Sequence, residues 1–317
     1  GPKRNTSLRN YVLANTDLVG SLATPFAPIV NTAVALKPVR FMMDKVMAID
    51  HRRIFPKYAH GTFTSWYKKH AAEAQAAFPK QVSYFHGCYV NYNNPQLGKD
   101  LIRIMNAAGY GVRLLDKEKC CGVALISNGL YNQAKRQAET NLASIRTAVN
   151  ENDLDVIATS STCTFTIRDE YPHLLSLKND DVRDRVELAT RYLYRLIQSG
   201  KVSFKFKEAE PIRVAYHTPC HMEKMGWSYY SIELLRMIPG VEVIVLDSQC
   251  CGIAGTYGFK KENYRTSQDV GEPLFRQIEA SGANLVATDC ETCKWQIEMS
   301  TTKRCENPLT IFASRLA

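Results

Sequence analysis

Three times in each half of this chain a short apolar run meets a polar or glycine turn and gives way to a longer amphipathic stretch. Val82-Ser83-Tyr84-Phe85-His86, Val112-Arg113-Leu114-Leu115 and Val156-Ile157-Ala158-Thr159 have the length and β-branched or aromatic content of buried strands. Between them, residues 97–108 and 130–148 keep helical spacing, and Gly109 closes the first. Residues 180–199, with Val186, Leu188, Tyr192 and Leu196, predict another helix. The second half repeats the order, with strands at 213–217, 241–246 and 284–288 and helices at 230–237 and 268–280. This alternation predicts an α/β protein with parallel sheets and right-handed crossovers.

The N-terminal part follows no such pattern. Residues 18–36 lack charge, but Gly20, Pro25 and Pro28 interrupt them and polar residues dilute them, which predicts a poor membrane span. The next stretch places Phe41, Met42, Val46 and Ile49 on one side, away from Arg40, Asp44 and Lys45. His51-Arg52-Arg53 and Lys57 then add positive charge. An apolar hairpin followed by a basic amphipathic helix predicts contact with an anionic membrane surface through residues 1–57. Packing on the body or on a partner subunit is the alternative. Residues 1–70 hold eleven Lys or Arg against three Asp or Glu, so they account for nearly all of the net charge of +9. No stacking platform or groove-reading module accompanies the charge, so nucleic acid is not an expected partner. The expected division is a helical segment over 1–78 and two domains over 79–200 and 201–317. Gly1-Pro2 has the look of a protease scar, and no basic–apolar–small order marks a cleavable signal peptide.

Nine of the ten cysteines fall into two copies of one pattern. The first is Cys88, Cys120-Cys121-Gly122 and Cys163; the second is Cys220, Cys250-Cys251-Gly252, Cys290 and Cys293. The copies are offset by 132 residues at the first cysteine and by 130 at the others, which marks an internal duplication. Ser160 stands where the repeat would put a counterpart of Cys290. Every member follows an expected strand, at the end where open parallel sheets bind ligands. Adjacent cysteines are poorly placed to bond each other, so the pattern points to metal in a reducing compartment. Structural zinc and cubane clusters each take four thiolates. The five of the second set suggest an unusual cluster or a spare thiol, and the four of the first suit zinc, a cluster or a decayed site. Cys305 has no counterpart and reads as structural. His217, His221 and Glu223 flank Cys220 and are candidates for proton supply or acceptor binding, with His86 and Lys224 also near the sites. Lys260-Lys261 reads as a solvated face. Gly252, Gly255 and Gly258 do not form a dinucleotide fingerprint.

Phe85-His86-Gly87-Cys88, Asn91-Tyr92-Asn93, Lys117-Glu118-Lys119-Cys120-Cys121-Gly122, the run from His217 to Trp227, and Asp289-Cys290-Glu291-Thr292-Cys293-Lys294-Trp295 carry a resemblance. They resemble the cysteine-rich CCG domain family, which includes heterodisulfide reductase B subunits and lactate-oxidation iron–sulfur proteins. Within it they are most similar to the C subunits of bacterial anaerobic glycerol-3-phosphate dehydrogenases, over essentially the whole chain. The resemblance implies two pseudo-repeated parallel-sheet CCG domains behind a membrane-leaning helical segment. It implies a non-cubane 4Fe–4S cluster on Cys220, Cys250, Cys251, Cys290 and Cys293. For Cys88, Cys120, Cys121 and Cys163 it implies zinc or a second cluster, because Ser160 breaks the full set. The implied activity belongs to an oxidoreductase complex. Its flavoprotein A and B subunits oxidise sn-glycerol 3-phosphate, and the C subunit, without a flavin of its own, passes the electrons to menaquinone. The implied place is peripheral, on the cytoplasmic face of the bacterial inner membrane. The family's N-terminal ferredoxin-like part has no matching cysteine motif here, so the sequence looks like the C-terminal portion. Two rival readings stay open: heterodisulfide or thiol reduction at the cluster, and a zinc-stabilised docking module without redox work.

Overall fold

A computed structural model describes residues 8–317, which build two four-stranded sheets with every strand pairing parallel. The first has the order β2-β1-β3-β4, from β1 (Lys80–Phe85), β2 (Tyr110–Leu114), β3 (Val156–Ala158) and β4 (Val186–Leu188). The second has the order β6-β5-β7-β8, from β5 (Ile212–Tyr216), β6 (Val241–Val245), β7 (Leu285–Ala287) and β8 (Cys305–Glu306). The registers are equivalent. Val82 pairs Val112 as Val214 pairs Val243, and Tyr84 pairs Ile157 as Tyr216 pairs Ala287. In each sheet the chain leaves the inner strand towards one edge and then crosses to its other side. The loops therefore part at the carboxyl ends of neighbouring strands and leave a crevice there.

The fourth strands were not expected. Val186-Glu187-Leu188 joins the sheet, and the helix expected from 180 begins only at Ala189 and ends at Gln198. All three strand residues are buried and pair with β3. A run this short has no period to read, so tertiary pairing decides its state. Cys305 takes the place in β8 that Val186 takes in β4, opposite Val286 and Val156 respectively, and is fully buried.

The N-terminal helices are α1 (Leu8–Ala14), α2 (Thr16–Ala23), α3 (Ala27–Ala35), α4 (Lys37–Met47), α5 (Phe63–His70) and α6 (Ala72–Ala76). A 3₁₀ turn over Thr24–Phe26 joins α2 to α3. Pro25 and Pro28 sit at first-turn positions, where the missing N–H leaves no bond unmade. The expectation of a broken segment is thereby corrected: Thr16–Ala35 is a helical run of 20 residues, long and apolar enough to cross a membrane by length and composition. One face, with Gly20, Ala23 and Ala27, is buried, while Leu18, Leu22, Phe26 and Ile29 on the other are exposed.

Two further expectations are corrected. Ile49 does not share the exposed face of Phe41, Met42 and Val46. The helix stops at Met47, Ala48 turns left-handed at φ 50°, and Ile49 is buried in a bridge to Lys260. Lys260-Lys261 is a clamp as well as surface, since Lys260 Nζ donates to Asn128 Oδ1 at 3.0 Å and Lys261 pairs with Asp44. Beside it the buried Arg53 donates to Gly258 O (2.6 Å), Gln296 Oε1 (2.5 Å) and Ser267 Oγ (2.9 Å). Helices α5 and α6 seal the edge of the first sheet: Tyr67 OH donates to Val112 O at 2.6 Å, and Val112 N–H donates to Gln75 Oε1 at 3.0 Å.

Candidate metal centres

The adjacent cysteines of each half precede a glycine with positive φ, 90° at Gly122 and 82° at Gly252. This left-handed turn suits glycine. At Gly252 a side chain is also excluded by space, since a Cβ would lie 2.0 Å from Ser267 O. The turn after β6 buries Cys251 and leaves Cys250 exposed.

In the second half the Cys251 and Cys293 sulfurs are 3.2 Å apart. Hydrogen bonds from Cys250 and Cys293 pull the Cys251 thiol well below its usual range. One from Cys293 brings Cys290 down to about 6. Cys290 also meets the hydroxyls of Thr292 at 3.2 Å and Thr162 at 3.5 Å. Cys220 lies at the exposed rim; burial, then the charges of Cys290 and Cys251, push its thiol up. In the first half Cys120 Sγ lies 3.6 Å from Cys88 Sγ. Hydrogen bonds from Cys121 and then Cys88 pull Cys120 down, and Cys121 bonds Cys163 in turn. In each set two sulfurs are in contact, Cys88 with Cys120 and Cys251 with Cys293.

The sets meet at one turn. Cys163 belongs to the first, while Ser160 Oγ donates to Glu291 Oε2 at 2.8 Å and Thr162 touches Cys290 of the second. Ser161 donates through both N–H and Oγ to Asp289 O, each at 2.9 Å. Ser160, where a cysteine was missing, thus serves the other half's loop. Asp289 is held by Tyr216 OH at 2.7 Å and Ser231 Oγ at 3.0 Å. In the first half Glu118 accepts the N–H groups of Gly87 (2.7 Å) and His86 (3.2 Å). Burial holds His86 at about 4 and raises Glu118, and the two side chains lie 3.2 Å apart.

The three candidate proton groups are not one cluster. His217 is buried beneath the second set, and one of its ring nitrogens and the Cys251 and Cys293 sulfurs all lie within 4.8 Å of one another. His221 stacks on Phe165 at 4.8 Å and lies 3.2 Å from Thr162 Oγ1. Burial, then Lys224, lowers its pKa to about 4. Glu223 accepts from Ser248 Oγ at 2.9 Å on the exposed side.

Sequence reasoning missed Thr16 and Asp17. Thr16 Oγ1 donates to Cys120 Sγ at 3.3 Å and Asp17 Oδ2 accepts Cys120 N–H at 2.6 Å, so the start of α2 rests on the first thiol set. Nothing local signals a contact across a hundred residues. Thr162 was also missed, although the duplication aligns it with Thr292, and that alignment was a readable signal.

The second donor set fits an iron–sulfur or zinc centre: the Cys251 and Cys293 sulfurs and one ring nitrogen of the buried His217 all lie within 4.8 Å of one another. A family model for the CCG cysteine-rich domain matches residues 82–168 and 214–298. The chain is 64% identical to the C subunit of the anaerobic glycerol-3-phosphate dehydrogenase of Escherichia coli K12, over 98% of this chain and 78% of that protein. It is 27% identical to the B subunit of the fumarate reductase (CoM/CoB) of Methanothermobacter marburgensis, over 70% of this chain and 42% of that one. It is 26% identical to lactate utilization protein A 2 of Bacillus cereus AH820, over 65% of this chain and 84% of the other. With its duplicated sheets and duplicated thiol turns, the chain belongs to the CCG cysteine-rich domain family, in the group of the anaerobic glycerol-3-phosphate dehydrogenase C subunits.

Proposed function

We propose that this chain is the iron–sulfur electron-transfer subunit of a glycerol-3-phosphate-oxidising complex, taking electrons from flavoprotein subunits and delivering them to menaquinone at the cytoplasmic face of the inner membrane. One observation carries the reading: the loops after β5, β6 and β7 bring Cys220, Cys250, Cys251, Cys290 and Cys293 to one place, with two sulfurs at 3.2 Å. The 64% identity to the C subunit of an anaerobic glycerol-3-phosphate dehydrogenase supports the substrate and the partners. A cluster in the second set, of the non-cubane 4Fe–4S kind, supplies one-electron transfer. The five cysteines hold it, the buried Cys251, Cys290 and Cys293 exclude water, and the exposed Cys220 and Cys250 leave the rim open. Cys88, Cys120, Cys121 and Cys163 hold zinc or a second cluster, and the Ser160–Cys163 turn links the two. His221 and Glu223, beside the rim, are the candidates to pass protons to the quinone.

Among the described residues, eleven of the seventeen exposed large apolar side chains lie between Leu8 and Ile54, so the membrane-facing surface is assigned there. Since one face of Thr16–Ala35 packs on the body, the run lies along the membrane in this reading. Flotation with anionic vesicles tests it: the intact chain binds and a Leu22→Gln/Ile29→Gln variant binds less, whereas equal binding rejects it.

The exposure of Cys220 and Cys250 favours a second reading, thiol or disulfide reduction at the same centre. Iron, sulfide and zinc per chain, with EPR on anaerobically prepared protein, test the main one. Iron with sulfide and a paramagnetic state are expected; zinc alone would make the chain a docking module.

A further inference from the structure

We propose that the His217 imidazole is a nitrogen ligand of the metal centre in the second half. The inference rests on the reading that the second thiol set is loaded.

His217 is 1% exposed, and neither Nδ1 nor Nε2 makes a hydrogen bond of full geometry; the imidazole acts on the Cys251 thiol, which it helps to hold below its usual range. Buried polar groups without partners are rare, because they lose water and gain nothing. Thr288 is 2% exposed and its hydroxyl is unpartnered. The two are neighbours in the ladder. Tyr216 pairs Ala287, and His217 N–H donates to Ala287 O at 2.9 Å, so His217 and Thr288 are the next step and share a sheet face. Ala215 and Val286, two residues back on that face, lie in the same core cluster as Cys251, Cys290 and Cys293.

The first half is the internal control. There the equivalent step is Phe85 opposite Ala158, a register pair without a polar side-chain atom, in the core that holds Cys120 and Cys121. The fold therefore accepts a phenyl ring and a methyl at this step. Where the thiol set has five members, the same step carries an imidazole beside the Cys251 and Cys293 sulfurs and a buried hydroxyl.

One ring nitrogen and both sulfurs lie within 4.8 Å of one another, and the imidazole acts on the Cys251 thiol. Metal–sulfur bonds of about 2.3 Å and metal–nitrogen bonds of about 2.0–2.1 Å hold ligand atoms of one ion at that scale.

The test uses the full chain, prepared anaerobically with ¹⁵N-histidine, and pulsed EPR on its paramagnetic centre. A nitrogen coupling that changes with the isotope is expected. His217→Phe/Thr288→Ala, which restores the first half's apolar pair, should fold, keep its melting temperature within a few degrees, lose the coupling and change the midpoint potential. Metal-loaded protein without nitrogen coupling, or a double variant with unchanged spectrum and potential, overturns the proposal alone. Wild-type protein without iron or sulfide overturns it together with the reading beneath it.

Discussion

In the first half Thr16 and Asp17 close over Cys120 from the start of an apolar helix; in the second half Cys220 and Cys250 stay exposed. The first half seals the edge of its sheet with Tyr67 and Gln75, whereas the corresponding strand β6 is half-exposed along its length. The strand frame and the thiol turns are common to both. The differences lie in what was laid over the frame and in a few side chains: Phe85, Ala158 and Ser160 against His217, Thr288 and Cys290. A duplicated site can thus diverge into a closed centre and an open one with its scaffold intact, because the loops carry the chemistry and the sheet carries the stability.

The comparison is broken most severely at the two glycines. Gly252→Ala meets both a left-handed φ and a carbonyl 2.0 Å from the new Cβ, so we expect a loss of roughly 3–5 kcal/mol and of metal in the second half. At Gly122 the nearest atom would be Ala134 Cβ at 3.6 Å, so only the backbone term of about 1–2 kcal/mol should appear. Denaturant melts of the two variants measure the gap, and equal losses would remove the asymmetry. Next comes Arg53→Ala, which strands Gln296, Ser267 and Gly258 O in the interior and should cost about 2–4 kcal/mol. Tyr67→Phe should cost about 1 kcal/mol by leaving Val112 O without its outer donor. Hydrogen exchange sharpens the same point, with the Val112 amide slower than the Val243 amide.

The smallest expected effect is a pH dependence. The hydrogen bond from Lys261, then that from His51, holds Asp44 at about 2 against an ordinary 3.8. Its folded value is depressed, so the stabilisation is present above about pH 4 and is lost as pH falls towards 2. Melting temperatures compared at pH 7 and pH 3 should fall less in Asp44→Asn than in the wild type. An equal fall would show that this clamp contributes nothing.

Much of this was legible because it is written locally. Val82–Phe85, Val112–Leu114 and Val156–Ala158 announce themselves by composition, and the offset of the cysteines shows that the strands repeat. That Cys251 and Cys293, from different loops, lie together followed from where parallel sheets leave their loops. What escaped was set by distant partners. Val186–Leu188 and Cys305–Glu306 are strands only because a neighbour pairs with them. Ile49 turns inward because Ala48 ends a helix left-handed, and Lys261 is drawn to Asp44 across more than two hundred residues. The place of His217 beside the Cys251 and Cys293 sulfurs could not be read at all, since it is set by contacts across more than thirty residues.

The central claim is that the second thiol set holds iron. Iron and acid-labile sulfide per chain, measured anaerobically, should fall sharply in Cys251→Ala/Cys293→Ala, whether or not Cys120→Ala/Cys121→Ala also removes metal from the first set. Iron and sulfide unchanged in the Cys251→Ala/Cys293→Ala protein would contradict the account.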